Sequence, residues 1–128
     1  MSDRTNVGSG TQWETTVGYS RAVRVGNMVE VAGTTAVDEN DQVVGIGNPY
    51  KQTRFILQKI ERALLAAGAT LHDVTRTRMF VTDITQWEEI GRAHGEVFHD
   101  IRPVATMVEV RALINPELLV EIEVSAVI

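Results

Sequence analysis

The sequence predicts a single α+β domain over residues 1–128, with two helices on one face of one mixed β-sheet. Turn residues separate segments of alternating polarity from two amphipathic stripes, which gives the order β-β-α-β-α-β-β. Two helices of this length can cover one face of a single sheet. The length of 128 residues and a hydrophobic content of 44% suffice for a core.

The first two strands are predicted at residues 21–25 and 28–33. Between them lies Gly26-Asn27, a two-residue hairpin signal, because glycine tolerates the positive φ of a type II′ turn. The first 18 residues are rich in Ser, Thr and Gly, and are predicted to form a loosely held arm.

The first long helix is predicted from Asn48 to about residue 67. Asn48 is a favourable cap, and Pro49 suits the first turn, where its missing N–H is not needed. Gly68 is expected to end the helix as its left-handed C′ residue. The predicted core stripe comprises Ile56, Ile60, Ala63, Leu64 and Ala67.

The next strand is predicted at Val74–Val81, which is rich in β-branched residues. Thr85 and Glu88 have the spacing of a capping box for a second helix, which Arg102-Pro103 is expected to end. The predicted stripe of that helix comprises Trp87, Ile90, His94, Val97 and Phe98.

The last two strands are predicted at residues 104–113 and 118–127, with a turn through Asn115-Pro116. The apolar rows expected beneath the helices are Val29, Val31, Val108, Val110, Val120, Ile122, Val124 and Ala126. The opposite rows mix Met and Leu with Glu, which predicts a face partly covered by other copies or by a ligand. The alternative is an ordinary solvated face with a few apolar residues.

Charge and composition narrow the partners. The net charge of −5 opposes binding to phosphate backbones and to anionic membrane surfaces, so neither nucleic acid nor a membrane is an expected partner. The absence of cysteine excludes thiol chemistry and fits a reducing compartment. With no apolar leader in residues 1–9, we expect a cytoplasmic protein.

Few residues suggest chemistry by spacing alone. Glu121 and Glu123 point to one side of a strand and could perform acid–base work, but cross-strand pairing with arginines explains them equally well. His94 is expected to pack between its helix and the sheet, away from Glu121. The histidines show no metal-ligand spacing and the glycines no nucleotide-binding loop, so no metal and no cofactor are expected.

Five segments resemble the signature of the Rid family, also called YjgF, the reactive-intermediate deaminases. Residues 103–110 read Pro-Val-Ala-Thr-Met-Val-Glu-Val and are followed by Val-Glu-Ile-Glu at 120–123. Gly-Tyr-Ser at 18–20, Val-Ala-Gly at 31–33 and Phe-Val-Thr-Asp at 80–83 resemble three further family motifs. The resemblance implies a chorismate-mutase-like fold, a homotrimer with small-molecule pockets between subunits, and hydrolysis of enamines and imines derived from amino acids.

The same resemblance assigns roles to individual residues. Glu121 matches the glutamate that positions the attacking water, while Tyr19 and Gly33 match pocket residues. Three positions depart from the pattern, since Ala105 replaces the substrate-binding arginine, Ala32 a serine and Gly91 an asparagine.

Strand alternation predicts that Ala105 and Met107 line the cleft that Glu121 faces. Arg102, in the loop before Pro103, is the alternative source of the positive charge that Ala105 lacks. We therefore expect hydrolysis of an imine, enamine or related metabolite that is not a usual 2-imino acid. The alternative is a non-catalytic protein that binds a metabolite or assembles. RNA cleavage, linked to some family members, is the least favoured function.

Overall fold

The computed structural model describes residues 3–128, which form one six-stranded sheet with two long helices against it. The strands are β1 (Arg4–Val7), β2 (Ala22–Val25), β3 (Met28–Thr35), β4 (Val74–Val81), β5 (Val104–Glu109) and β6 (Val120–Val127). The helices are α1 (Gln12–Val17), α2 (Pro49–Ala66) and α3 (Trp87–Phe98). Short 3-10 turns at Leu71–Asp73 and Ile84–Gln86 precede β4 and α3.

The strand order is β1-β2-β3-β6-β4-β5. Only β4 and β5 pair in parallel, and the other neighbours are antiparallel. The predicted α+β class and mixed sheet are confirmed. Within residues 3–128, no helix is long and apolar enough to cross a membrane.

The core lies between the sheet and the helices α2 and α3. Every residue of the predicted α2 stripe is buried, and so is the predicted row of β6. Asn48 accepts a hydrogen bond from the Lys51 N–H at 3.0 Å, and Gly68 has a φ of 88°. The cap, the stripe and the end of α2 are thus confirmed. Gly26 also has the positive φ, 59°, expected of its hairpin.

The prediction for the N-terminal arm was wrong. All four residues of β1 pair with β2, so residues 4–7 extend the sheet by one strand. Residues 12–17 form α1, which Gly18 ends with a φ of 87°. The sequence offered little signal for either element, because β1 is short and α1 buries no residue.

The start of the second long helix was also placed wrongly. Thr85 and Glu88 make no capping box, because Asp83 accepts hydrogen bonds from both the Thr85 N–H and hydroxyl and begins a 3-10 turn. The helix α3 therefore starts at Trp87, whose side chain is 55% exposed rather than in the core. The cap that Asp83 makes on the preceding 3-10 turn takes precedence over the predicted pairing of Thr85 with Glu88.

The predicted β5 was too long and its buried row was misplaced. The strand ends at Glu109 rather than 113, and Val108 is 42% exposed. Met107 pairs with the buried Met79 of β4, so the row of β5 toward the helices is the one that includes Met107. Alternation defines two rows of an edge strand but does not say which row faces the helices.

Candidate functional site

The open face of the sheet, opposite the helices, carries a β-bulge at its centre. Val31 pairs with Val124 and Thr34 pairs with Ile122, so β3 uses one more residue than β6 over this interval. The extra residue falls at Ala32-Gly33 and shifts the side chains that follow.

Glu121 lies on β6 beside this bulge, between Thr35 of β3 and Phe80 of β4. A Cβ placed on Gly33 would come 3.0 Å from Cδ of Glu121 and closer still to Oε2. The carboxylate is half-buried, and this burial raises its pKa. Arg21 opposes the rise and Glu123 adds to it. The result is a carboxylate whose basicity exceeds that of an exposed glutamate.

Arg21 is the residue of this group that the sequence analysis missed. Its Nη2 donates to the carbonyl oxygen of Gly33 at 2.7 Å. Its buried Nε has no hydrogen-bond partner among residues 3–128. The available signal was its position two residues after Tyr19, directly before β2 and next to the buried Ala22.

A cavity of about 670 Å³ opens beside the bulge on the same face. Its wall includes Arg4, Glu14, Tyr19, Glu30, Ala32 and Glu123. Two residues of the predicted site, Tyr19 and Ala32, therefore lie together at this cavity. Glu121 and Gly33 do not line it, but Gly33 directly follows the wall residue Ala32, and Glu121 lies two positions before the wall residue Glu123.

The other predicted site residues lie on the opposite side of the same chain. Ala105 pairs with Thr77, and Met107 pairs with Met79. Directly paired residues share a face, and Thr77 and Met79 are buried beneath the helices. The prediction that Ala105 and Met107 line the cleft of Glu121 is therefore wrong within one chain, because β5 is parallel to β4 and its register reverses the expected faces.

His94 lies where the sequence predicted. Its Nε2 is 2.9 Å from the hydroxyl of Thr77, and its ring centroid is 4.7 Å from that of Phe98. Burial lowers the pKa of His94, so the neutral ring is favoured. Gly91 lies one turn earlier on the same side of α3, and no atom lies within 4 Å of where its Cβ would be. Gly91 and Ala105 thus both lie on the helix side of the sheet.

Arg102 does not supply the missing cation within one chain. Its Nε donates to the carbonyl oxygen of His99 at 3.1 Å, which holds it at the carboxyl end of α3. Among residues 3–128, no three His, Asp or Glu side chains are grouped so as to hold a metal ion.

Comparison with known proteins agrees with the fold and the motifs. The model of the family described as Endoribonuclease L-PSP matches residues 10–128. The chain is 39% identical, over 94% of its length and 89% of the relative's, to an uncharacterized protein of Streptomyces coelicolor. It is 36% identical to a protein of Acinetobacter baylyi named 3-aminoacrylate deaminase RutC, over 81% of this chain and 82% of the relative.

Solved structures show the same architecture. The crystal structure of Rv2704 from Mycobacterium tuberculosis, described as a member of the YjgF/YER057c/UK114 family, superposes with a TM-score of 0.89. It is 53% identical, and the match covers 98% of this chain and 100% of that one. A Yersinia pestis protein of the Rid family, 28% identical, gives a TM-score of 0.85 over 98% of this chain and 99% of its own.

Proposed function

The chain belongs to the YjgF family, also called Rid or endoribonuclease L-PSP, and on that premise we propose that it hydrolyses an imine or enamine at a pocket between subunits. The observation that carries the proposal is the half-buried Glu121 carboxylate, packed against Gly33 beside a cavity. A carboxylate of raised pKa on an accessible face suits a general base that acts near neutral pH.

The proposed reaction consumes one water. Glu121 accepts a proton as the water oxygen attacks the carbon of the C=N bond, which gives a carbinolamine. Proton transfer to nitrogen then allows the C–N bond to break, so ammonia leaves and a carbonyl forms. An enamine first takes a proton on carbon to become the imine. Tyr19, Ala32 and Gly33 would lie along the substrate in this arrangement.

The separation of the predicted residues supports a site shared between copies. One group, which includes Tyr19 and Glu121, lies on the open face, while Gly91 lies on α3 and Ala105 lies on the helix side of the edge strand β5. A single chain cannot bring the two groups to one ligand. A second copy that places its β5 edge against the open face of the first would do so.

Ala105 limits the substrate. A guanidinium would hold a carboxylate through paired, charge-assisted hydrogen bonds, each worth about 1.5–3 kcal/mol. The Acinetobacter relative is named for 3-aminoacrylate, which is a carboxylate. An alanine offers no such contact, so we propose a C=N or enamine substrate without a carboxylate at this end.

The test compares substrates in a coupled assay that generates each imine in situ and measures ammonia release. With the wild-type protein present, 2-aminoacrylate is expected to be hydrolysed at its uncatalysed rate. The hydrolysis of an imine that lacks a carboxylate is expected to be accelerated. Ala105→Arg should raise kcat/KM for 2-aminoacrylate roughly 10- to 100-fold, and Ala105→Met, similar in bulk but uncharged, should not.

A second variant tests the base. Glu121→Gln should lower turnover by about 100-fold or more, whereas the exposed Glu117→Gln should leave it unchanged. Rapid wild-type hydrolysis of 2-aminoacrylate would show that another cation holds the carboxylate. Full activity in Glu121→Gln would remove Glu121 from the mechanism.

A non-catalytic role in metabolite binding or assembly is the second candidate. The observation that favours it is the loss of polar side chains at three matched positions, 32, 91 and 105. Saturable ligand binding by calorimetry, with no ammonia release for any imine tested, would support this role over hydrolysis.

A further inference from the structure

We propose that Arg21 is a positioning residue for Glu121: it holds the Gly33 bulge in the form that admits the carboxylate and supplies the positive charge beside it. This inference rests on the proposed role of Glu121 as the base. It adds a residue that none of the family motifs in this sequence identifies.

The geometry begins with the bulge. The backbone carbonyl oxygen of Arg21 accepts a hydrogen bond from the Ala32 N–H at 3.0 Å. Its side chain reaches on to the carbonyl oxygen of Gly33 at 2.7 Å. Arg21, which directly precedes β2, therefore contacts both residues of the bulge. The Arg21 N–H donates in turn to Val7 of β1 at 2.8 Å, so the contact point is itself held on both sides.

The bulge in turn sets the place of Glu121. The carboxylate occupies the volume where residue 33 would carry a side chain. A small rotation of the Gly33 peptide would change the distance between the backbone and Oε2. Because Arg21 bonds the carbonyl of that peptide, it limits this rotation.

Among the charged side chains near Glu121, Arg21 is the one that stabilises its ionised carboxylate. Thr35 and Phe80, its neighbours on β3 and β4, are uncharged. Glu123 on β6 is negative, but lies 3.3 Å from Arg78 and is partly neutralised by it. Burial and Glu123 raise the pKa of Glu121, whereas Arg21 lowers it.

The other element near this region, α2, contributes a second cation, Lys59, from the helix side of the sheet. Lys59 donates to the carbonyl oxygens of Thr35 and Val37 at 2.8 and 2.9 Å. Burial, together with the positive charges of Arg21 and Arg62, lowers the pKa of Lys59 to about 8. Lys59 thus holds the end of β3, while Arg21 acts on the bulge and on Glu121.

The unpartnered Nε of Arg21 fits this role. A buried donor without an acceptor is rare in folded proteins. Here it leaves the guanidinium able to donate to one more acceptor beside the Gly33 carbonyl.

The experiment titrates Glu121 directly in the full-length protein, by NMR of ¹³C-labelled glutamate carboxyl groups. The signal is assigned by its loss in Glu121→Gln. Arg21→Gln should shift the pKa of Glu121 upward relative to the wild type. Arg24→Gln is the matched control, because Arg24 lies three residues further along the chain, in β2, and donates to the carbonyl oxygen of Ala67 at 3.0 Å, on the helix side. It should leave the Glu121 titration unchanged.

The outcome does not depend on turnover, since no substrate is needed. A folded Arg21→Gln protein with an unchanged Glu121 titration would overturn the proposal, and so would an equal shift in Arg24→Gln. If Arg21→Gln does not fold, Arg21→Lys replaces it. Lysine keeps the charge but not the forked geometry, so the Glu121 signal should keep a near-wild-type pKa while its chemical shift changes. An unchanged chemical shift in Arg21→Lys would contradict the positioning role.

Discussion

At residue 33, any side chain would collide with the Glu121 carboxylate, since a Cβ there would come 3.0 Å from Cδ. The φ of Gly33 is not in the left-handed region, so the backbone alone does not demand glycine. The requirement comes from the close approach of a side chain on the neighbouring strand. Glycine is needed here because it leaves room for the Glu121 carboxylate, and not because the backbone adopts a conformation that other residues avoid.

This close contact predicts different effects for two Gly→Ala variants. Gly33→Ala should displace Glu121 toward solvent and return its pKa toward the usual value, with loss of any turnover. The unfolding free energy should change little, because the displaced group is the end of a flexible side chain. Gly95→Ala on the exposed side of α3 meets no atom within 4 Å and should stabilise the protein by about 0.5–1 kcal/mol.

Carboxyl NMR and urea unfolding at a fixed protein concentration measure the two effects separately. A Gly33→Ala protein with a wild-type Glu121 titration would show that the contact does not hold the carboxylate.

Motif matches in the sequence predict roles for Glu121 and Tyr19, and the structure shows a physical reason for glycine at position 33 beside Glu121. The sequence could not identify Arg21, because one arginine in a segment rich in arginine and valine gives no signal of its hydrogen-bond partner. That partner is a backbone carbonyl exposed by a bulge. Bulges depend on the register between strands, which the alternation of polarity does not encode.

For helices and strands, the predictions were accurate where the local sequence signals for an element's ends and buried face were strong. The helix α2 combined a cap, an N-terminal proline, a continuous stripe and a left-handed glycine, and its predicted bounds agree with the structure to within a residue or two. The start of α3 had two competing caps, and the stronger one lay two residues earlier, at Asp83. The edge strand β5 showed alternation without a register, so its faces were assigned wrongly.

The contact between α3 and β4 predicts a pH dependence of stability. Burial lowers the pKa of His94 from 6.5, so the folded protein binds fewer protons than the unfolded chain at acidic pH. The contribution of His94 to stability is therefore complete above about pH 6.5 and decreases as the pH falls through the lowered folded pKa.

Replacement of His94 tests this expectation. His94→Gln keeps a polar partner for Thr77 but does not titrate, so its unfolding free energy should fall less than that of the wild type between about pH 7.5 and about pH 5. The exposed His72→Gln should follow the wild type. Urea unfolding at a fixed protein concentration gives the comparison. Parallel curves for His94→Gln and the wild type would contradict a depressed pKa.

For the whole molecule, the open face is the surface left uncovered by the chain's own helices. Val25, Met28 and Val127 pair directly across β2, β3 and β6, and their side chains are 46%, 56% and 49% exposed. Such a row adds to the exposed apolar surface near the cavity and the bulge. Together with the separation of the predicted site into two groups, it favours cover by further copies of the chain.

The resemblance to the Rid family implies a homotrimer, and this uncovered face gives it a surface to bury. We therefore expect a mass in sedimentation equilibrium at micromolar concentration of about three times 14.1 kDa. Met28→Asp introduces a charge into the apolar row and should shift the equilibrium toward the monomer, because a buried unpaired charge is costly. It should also abolish turnover, since the site needs two copies. Leu65→Asp is the matched control, because Leu65 is equally exposed, at 56%, on α2 and should leave the trimer intact. A wild-type monomer that still hydrolyses an imine would refute the shared pocket, since residues on opposite faces of one chain cannot meet at one ligand.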